Sequence, residues 1–415
     1  MPRTRWPGLL STCLFLWVAW SSPLRSQPVP TLSEPAQERI SLSTTTFSLD
    51  LLDQLWQQPG NLLVSPYSLY AALLMVASGA GGETAAVLGQ AIRLDAAGSD
   101  LQAFTSHSAR LTAESTGSQL VVGQSIWPAE RFTLQPAFRQ TMATSFGASI
   151  TPLNYAGDPQ GAAQRINAWV SESTRGKIKE LVSEEQFSPD MRLALLSTIW
   201  FKGEWKNEFD PDNTRTGPFV LQGGGTSSVP LMHKIGWYRL GAIPGGRVLE
   251  IPYQGESYDT TNHALLILLP DKRDGLAALQ RQLTPQSLKK AIEGMKDERV
   301  ELILPRFKMR SRPHLMEPLE RMGLGAVFGA DADLSGISAV PDLYLSSVLQ
   351  EAMLEVDEKG TEAAAATIME MPVTGLSEDP ITPFRVDHPF LLMIRDQPTG
   401  TLLFLGRVMD PGEQG

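Results

Sequence analysis

The sequence predicts an α+β fold, because helix-type and strand-type hydrophobic patterns both recur along its 415 residues. Large apolar residues repeat at three- and four-residue intervals across residues 47–55, which indicates a helix. Apolar runs of strand length follow, and residues 264–270 are apolar enough to be covered on both faces. Two further runs, 390–394 and 402–408, are separated by a turn. The chain therefore combines both kinds of element.

The composition indicates an acidic globular protein. Hydrophobic residues make up 42 % of the chain and charged residues 19 %, which excludes wholesale disorder. The formal charge of −10 argues against nucleic acid and polyanionic glycans as partners. The sequence contains no His-Glu-x-x-His and no paired cysteine and histidine spacing, so we expect no metal site and no cofactor.

The first 26 residues have the pattern of a secretory signal peptide. Arg3 and Arg5 form a short basic region, and residues 9–20 form an apolar core too short to span a bilayer. Cleavage after Ser21 and cleavage after Ser26 both fit the sequence. We therefore predict a secreted or extracytoplasmic protein without a membrane partner.

The lone cysteine, Cys13, lies inside this signal segment, so the mature chain would contain no thiol. A lipid anchor on Cys13 is the alternative, but Thr12 is a poor residue to precede such a cysteine. Residues 27–43 are polar and rich in proline, which predicts a flexible tail in front of a domain spanning residues 44–415.

The most apolar helix is predicted to begin at Ser65. Ser65 would cap it and Pro66 would occupy its first turn, and residues 69–77 are apolar nearly all round, so this helix should be buried. The glycine-rich residues 79–82 then end it. A phosphate-binding loop is the alternative for these glycines, but no Lys-Ser or Lys-Thr follows them.

The remaining elements follow from the same patterns. The predicted strands are residues 120–127, 193–205, 229–232, 249–253, 264–270, 300–304, 343–356, 390–394 and 402–408. The predicted helices are residues 134–146, 275–283, 285–295 and 315–328.

Residues 358–383 form an unusual segment in which an alanine run passes into a proline-rich loop. Alanine favours helix, so a permanent helix is one interpretation. The flanking strands favour another, in which small side chains let the first part slide into a sheet while proline and glycine keep the rest exposed. The predicted hinge comprises Glu358, Gly360, Thr361, Glu362, Ala363, Ala364, Ala365, Ala366 and Thr367.

This arrangement of hinge, exposed loop and two last strands resembles the serpin family. Further matches in family order include residues 61–84, the Phe-Lys-Gly-x-Trp sequence at 201–205, residues 305–308, and 404–408. The resemblance covers the chain from about residue 47 to residue 411. It implies one domain with three β-sheets, about eight or nine helices and an exposed reactive loop.

The resemblance also implies a function as an inhibitor that its target consumes. A serine protease, or sometimes a cysteine protease, would attack the loop and form a covalent complex. The cleaved loop would then enter the main sheet as an extra strand and distort the protease before hydrolysis is complete. Because strand residues alternate between faces, Thr361, Ala363, Ala365 and Thr367 would all face the core, and Glu362 would face away. We expect the inhibitor itself to be a monomer.

Family spacing from Glu358 predicts a reactive bond between Thr374 and Gly375. A side chain the size of threonine suits a shallow apolar pocket of the elastase type, and it would be poor for a trypsin-like pocket lined by a carboxylate. Cleavage between Leu376 and Ser377 is the alternative, and it would suit chymotrypsin- or subtilisin-like enzymes.

The resemblance assigns two further groups of residues. Arg306 and Glu358 would form an ion pair that tethers the hinge, with Trp205 packed beneath it. At the centre of the main sheet, where its strands part, the resemblance predicts a group made of Ser65, Ser68, Ser197 and Gln350. The family often has an asparagine in place of Ser197 and a histidine in place of Gln350, so we expect sheet opening here to lack a histidine latch.

Two other function classes compete with inhibition. An enzyme is disfavoured, because the chain has five histidines but no Gly-x-Ser-x-Gly nucleophile elbow. A non-inhibitory carrier or chaperone with the same fold remains open, although the small, uncharged core-facing hinge residues favour inhibition.

Overall fold

The computed structural model describes residues 34–94, 98–113, 117–255, 262–361 and 379–413, and these residues adopt the predicted α+β fold. Nine α-helices lie within the described residues, in agreement with the predicted eight or nine. They are α1 (Glu34–Leu55), α2 (Pro66–Ala77), α3 (Gly82–Ile92), α4 (Gly98–Leu111), α5 (Pro136–Thr141), α6 (Pro159–Ser173), α7 (Leu276–Gln282), α8 (Pro285–Glu293) and α9 (Met316–Arg321).

The described strands include every predicted strand. They are β1 (Leu62–Val64), β2 (Ser118–Pro128), β3 (Ser149–Ile150), β4 (Leu193–Glu204), β5 (Arg215–Val220), β6 (Thr226–Ile243), β7 (Gly246–Pro252), β8 (His263–Pro270), β9 (Lys296–Pro305), β10 (Phe307–Ser311), β11 (Leu345–Val356), β12 (Gly360–Thr361), β13 (Thr382–Arg385), β14 (Phe390–Asp396) and β15 (Leu402–Val408).

A six-stranded sheet contains the described part of the predicted hinge. Its order is β10-β11-β12-β4-β2-β3, and β11 also pairs directly with β4 in parallel, from Leu345 opposite Leu193 to Ala352 opposite Ile199. Alternate residues of β4 enter two separate hydrophobic clusters, because successive side chains of a strand point to opposite faces. One cluster includes α2 and the other includes α6, so these two helices cover opposite faces of the sheet.

The other strands form one hydrogen-bonded sheet of nine, in the order β1-β15-β14-β8-β7-β6-β9-β13, with β5 also paired to β6. The prediction had three sheets, and the described strands form two. The reason is that β6 is 18 residues long and pairs with β5, β9 and β7 in succession, which joins what would otherwise be two sheets.

Helix α2 lies between the two sheets and is buried, and its apolar sequence predicted the burial. All twelve of its residues are buried, and its N-cap is Ser65, whose Oγ accepts a hydrogen bond from the Ser68 backbone N–H at 3.2 Å. The Ser65 hydroxyl also donates to the backbone carbonyl of Leu403 on β15, at 2.7 Å.

The last strand, β15, contacts the segment that follows the first helix. Strand β1, which follows α1, pairs along its length with β15. From β15, the Arg407 guanidinium donates hydrogen bonds to the carbonyl oxygens of Trp56 (2.7 Å) and Gly60 (2.9 Å), immediately after α1 ends. The N-terminal elements are therefore held by residues near the C-terminus.

Three predicted boundaries need correction. The flexible tail predicted for residues 27–43 is wrong over 34–43, because α1 begins at Glu34 and already buries Ile40. The helix predicted for 134–146 is α5 followed by a π-helical turn, Met142–Phe146. The helix predicted for 315–328 is broken at Gly323, whose positive φ of 93° separates α9 from a 3₁₀ turn, Leu324–Val327.

Within the described ranges, no helix combines the length and the hydropathy that crossing a bilayer requires. The same residues contain no group of three or more histidine, cysteine, aspartate or glutamate side chains placed to hold a metal ion.

Candidate functional site: the hinge and the seam of the six-stranded sheet

Two residues of the predicted hinge, Gly360 and Thr361, lie between two strands of the six-stranded sheet. Thr361 of β12 pairs antiparallel with Val356 of β11 on one side and with Gly203 of β4 on the other. Further down the sheet, β11 and β4 pair with each other. We call this line of direct β11–β4 pairing the seam. The sheet is thus parted above the seam, and the chain enters the gap as β12.

The predicted tether is present at the start of the hinge. Arg306 Nη1 lies 3.5 Å from Glu358 Oε1, and the Thr214 hydroxyl donates to the same oxygen at 2.8 Å. Glu358 is buried, whereas half of the Arg306 side chain is exposed. Solvent therefore screens the ion pair, and the contribution of such a pair to stability is small, about 0–1 kcal/mol. The sequence had not indicated Thr214.

Trp205 lies beneath the hinge, as predicted, and it contacts both backbone and aromatic groups. Its indole N–H donates to the Asp357 carbonyl and its backbone N–H donates to the Lys359 carbonyl, both at 2.8 Å. Its ring stacks on Tyr253 with centroids 4.6 Å apart and an interplanar angle of 12°. The Tyr253 and Thr361 hydroxyls lie 2.6 Å apart. Thr361 is fully buried, so its side chain faces the core.

Gly360 is needed where β12 enters the sheet, because the backbone of β4 approaches it closely. A Cβ at this position would lie 2.0 Å from the Gly203 carbonyl oxygen and 2.8 Å from Glu204 Cα. Both are backbone atoms and cannot rotate away. Any residue other than glycine would therefore separate β12 from β4.

A turn stabilised by Asp357 carries the chain from β11 into β12. The Asp357 carboxylate accepts hydrogen bonds from the backbone N–H groups of Lys359 (2.8 Å) and Gly360 (3.0 Å). Burial raises the pKa of this carboxyl, although those two hydrogen bonds counteract the effect. Asp357 was not among the residues predicted from the sequence.

The four residues predicted at the sheet centre do meet, on the α2 side of the seam. Gln350 and Ser197 are paired across the seam. The Gln350 amide accepts from the Ser65 backbone N–H at 2.8 Å, and it donates to the Ser65 carbonyl at 2.9 Å and to the Ser68 hydroxyl at 2.8 Å. All four residues are buried. These four side chains are an amide and three hydroxyls, with no histidine among them. None of them titrates near neutral pH, so this group contains no pH-sensitive latch.

Gln124 on β2 completes this group, and it was not among the residues predicted from the sequence. Its amide donates to the Ser68 carbonyl at 2.8 Å and to the Ser197 hydroxyl at 3.4 Å. Its Oε1 is buried and accepts no hydrogen bond from the described residues. A glutamine near the middle of an apolar strand was the available signal. We call Ser65, Ser68, Gln124, Ser197 and Gln350 the polar cluster.

The rest of the predicted hinge and the predicted reactive bond lie outside the described residues. The chain is described up to Thr361 and again from Asp379. The residues concerned are Glu362, Ala363, Ala364, Ala365, Ala366, Thr367, Thr374 and Gly375.

Comparison with protein families identifies the chain. The family model described as Serpin (serine protease inhibitor) matches residues 42–411. The chain belongs to the serpin family. Relatives in this family are named as protease inhibitors and not as enzymes, and serpins generally bind their target proteases in a covalent complex.

Individual relatives agree with this assignment. The leukocyte elastase inhibitor of Bos taurus is 34 % identical over 90 % of this serpin and 100 % of its own length. An uncharacterized serpin-like protein of Methanosarcina acetivorans is 32 % identical over 90 % of this chain and 86 % of its own. Among solved structures, uncleaved ovalbumin superposes with a TM-score of 0.80 at 25 % identity, covering 90 % of this chain and all of that one.

The prediction of secretion is wrong by these comparisons. Leukocyte elastase inhibitors, including the human protein at 33 % identity, are intracellular serpins that lack signal peptides. Secretion was inferred from the charge and hydropathy of residues 1–26 alone. Those residues lie outside both the family match and the described structure.

Proposed function

We propose that this serpin inhibits serine proteases of the elastase type as a suicide substrate. Cleavage of the reactive loop would free its amino-terminal half, which would extend β12 down the seam while the protease remains attached as an acyl-enzyme. The observation that carries the proposal is the position of β12, which already pairs with β11 and β4 at the point where they part.

Strand pairing favours such an insertion. At present β11 and β4 pair in parallel along the seam, whereas β12 is antiparallel to both. An inserted strand would replace one parallel ladder with two antiparallel ladders, and antiparallel pairing is slightly more stable per residue. It would also provide backbone hydrogen-bond partners for the inserted residues.

The face that Thr361 presents supports a hinge able to enter. Since Thr361 faces the core, alternation along a strand would turn Ala363 and Ala365 to the same side. Continuing both β12 registers would bring Ala365 between Ile199 on β4 and Ala352 on β11. Both of these residues are buried, so the site accepts a methyl group and would reject a charge.

The same registers bring Thr367 to the polar cluster. Thr367 would lie opposite Ser197 on β4 and opposite Gln350 on β11, two residues that currently pair with each other. A threonine there would supply a hydroxyl donor close to the buried Gln124 Oε1. We infer that the inserted strand exchanges polar contacts at this point and leaves few buried polar groups unpaired.

The choice of target rests on the predicted reactive bond and on the relatives. Thr374 would enter a shallow apolar protease pocket more readily than a deep charged one. Leukocyte elastase inhibitors are among the curated relatives, at 33–34 % identity. Both observations support an elastase-type enzyme.

The decisive experiment compares two glutamate substitutions one residue apart. Purified protein is incubated with pancreatic elastase, and a stable adduct is sought on a denaturing gel. Ala365→Glu would place a charge between Ile199 and Ala352, so we expect cleavage without an adduct. Ala364→Glu is the matched control. It would lie on the α6 side, near the Arg175 guanidinium, which stands 5.2 Å from the Trp200 ring, so its adduct should persist.

Three outcomes would contradict the proposal. Clean cleavage of the unmodified protein with no adduct would indicate a substrate or a carrier instead of an inhibitor. Equal loss of the adduct in both variants would refute the predicted face alternation. Mass spectrometry of the released C-terminal fragment tests the reactive bond. A fragment that begins at Ser377 instead of Gly375 would show that the protease cuts between Leu376 and Ser377.

A further inference from the structure

A basic cavity lies on the α6 side of the six-stranded sheet, away from the hinge. Its volume is about 670 Å³, within the range of roughly 300–1,000 Å³ that is typical of ligand sites. Residues 177–186, which follow α6 and which we call the strap, form one wall, and β10 forms the other. Lys177 and Lys179 line it from the strap, and Arg310 and Arg312 line it from β10 and the residue after it.

The cavity is cationic, although the whole chain carries a formal charge of −10. Glu351 on β11 is fully buried and forms ion pairs with both arginines, of which the one to Arg312 Nε measures 2.8 Å. It therefore compensates one of their two charges. Glu180 also lines the cavity, and both guanidinium groups donate to its backbone carbonyl. The residues that line the cavity thus include four cationic side chains and one carboxylate, that of Glu180.

The two arginines are already oriented by these contacts. In each arginine, Nε donates to the Glu351 carboxylate and Nη2 donates to the Glu180 backbone carbonyl. The side chains of Arg310 and Arg312 remain 38 % and 44 % exposed. Because a guanidinium has five N–H donors, each retains hydrogen-bonding capacity toward the cavity. A planar fork held in place suits phosphate oxygens, which it can bind in bidentate fashion.

We propose that this cavity binds a compact polyanion that carries a chain of phosphate groups. The lysines would approach such a ligand from the strap and the arginines from β10, so several phosphates are needed to reach both walls. A long polyanion is disfavoured, because the net acidity of the remaining surface would repel it. The ligand would be a free polyphosphate or the triphosphate of a nucleotide, which share this chemistry.

The position of the cavity suggests what binding would do. Glu351 is paired across the seam with Thr198, whose hydroxyl lies 3.0 Å from that of Ser173 at the end of α6. The strap therefore passes from α6, over the seam, to the arginines beyond β11. A bound anion would join the strap to β10 and stabilise the closed sheet. This consequence, unlike the binding itself, rests on the proposed function.

Calorimetric titration of the whole protein with sodium tripolyphosphate tests the site, with sodium chloride keeping the ionic strength constant. We expect saturable 1:1 binding. The double variant Lys177→Gln/Lys179→Gln should raise Kd at least about tenfold, a loss of roughly 1.4 kcal/mol. The matched control, Lys272→Gln/Lys290→Gln, removes the same charge from exposed lysines outside the cavity and should leave Kd within about twofold.

Each outcome bears on the proposal. Absence of saturable binding would overturn it, and so would an equal loss in both double variants, which would indicate diffuse attraction to the surface. Adenosine triphosphate in place of tripolyphosphate distinguishes the sources: tighter binding favours a nucleotide, and weaker binding favours free polyphosphate. Slower hydrogen exchange at residues 177–186 with ligand would confirm the location. None of these measurements uses a protease, so the failure of one proposal is separable from the failure of the other.

Discussion

Replacement of Gln350 by glutamate would convert the polar cluster into a pH-dependent one. In the native protein the Gln350 amide accepts from the Ser65 N–H and donates to the Ser65 carbonyl and the Ser68 hydroxyl, at 2.8–2.9 Å. A protonated glutamic acid can reproduce the acceptor and one donor. An ionised carboxylate can donate to neither, and it would be buried beside a carbonyl oxygen.

The magnitude of the effect follows from linkage. Burial without a cationic partner should raise the folded-state pKa of the new carboxyl well above the value of about 4.3 expected in the unfolded chain. Stability is then retained below the unfolded pKa and lost as the pH rises toward the folded pKa. If the carboxyl remains protonated in the folded protein at pH 7, Gln350→Glu would cost about 3–4 kcal/mol there. For a chain of this size that corresponds to a fall of about 5 °C in Tm.

Circular dichroism melts at pH 4.5 and pH 7.5 measure this effect. Gln282→Glu on α7 is the matched control, because Gln282 is exposed and its new carboxylate would ionise normally. The quantity of interest is the Tm of each variant relative to the native protein at the same pH, which removes other titrating groups. If Gln350→Glu and Gln282→Glu show the same pH dependence, the inference of a buried amide with three partners is refuted.

Two other predictions concern stability. Gly360→Ala should lower the free energy of unfolding by about 1–3 kcal/mol, because its Cβ would overlap the Gly203 carbonyl. Gly325 has open space around it, so Gly325→Ala should leave the free energy of unfolding unchanged. Equal Tm values for the two variants would disprove the clash. Burial lowers the pKa of His107 from 6.5 to about 4, so stability should fall as the pH drops from 6.5 toward 4. His107→Gln, still able to bond Thr401, should remove about 3 kcal/mol of that loss, as measured by melts across this range.

Local patterns predicted most of the fold. Strand-length apolar runs identified β4, β8, β11 and β15, and the Ser-Pro pair at residue 65 identified the start of α2. The errors occurred where local chemistry is ambiguous. Residues 34–43 are polar and follow prolines, yet contacts with distant elements bury Ile40 and extend α1 through them. Those contacts have no local signature in the sequence.

The candidate site was only partly predictable, because its long-range contacts also have no local signature in the sequence. The positions of Ser65, Ser68, Ser197 and Gln350 followed from family resemblance, and the structure brings them together. Gln124 and Thr214 were missed, because each acts through a partner more than fifty residues away in the chain. Sequence spacing contains no information about such pairs until the sheet order is known.

The Arg407 side chain, which donates to the carbonyls of Trp56 and Gly60, has a consequence for biosynthesis. During translation the amino-terminal helix emerges from the ribosome some 350 residues before this arginine does, as the 351-residue separation from Trp56 indicates. The Trp56 and Gly60 carbonyls and strand β1 therefore have no native partners until the last segment of the polypeptide has been synthesised. If translation stalls or terminates early, the residues that were synthesised first would remain exposed to chaperones and proteases.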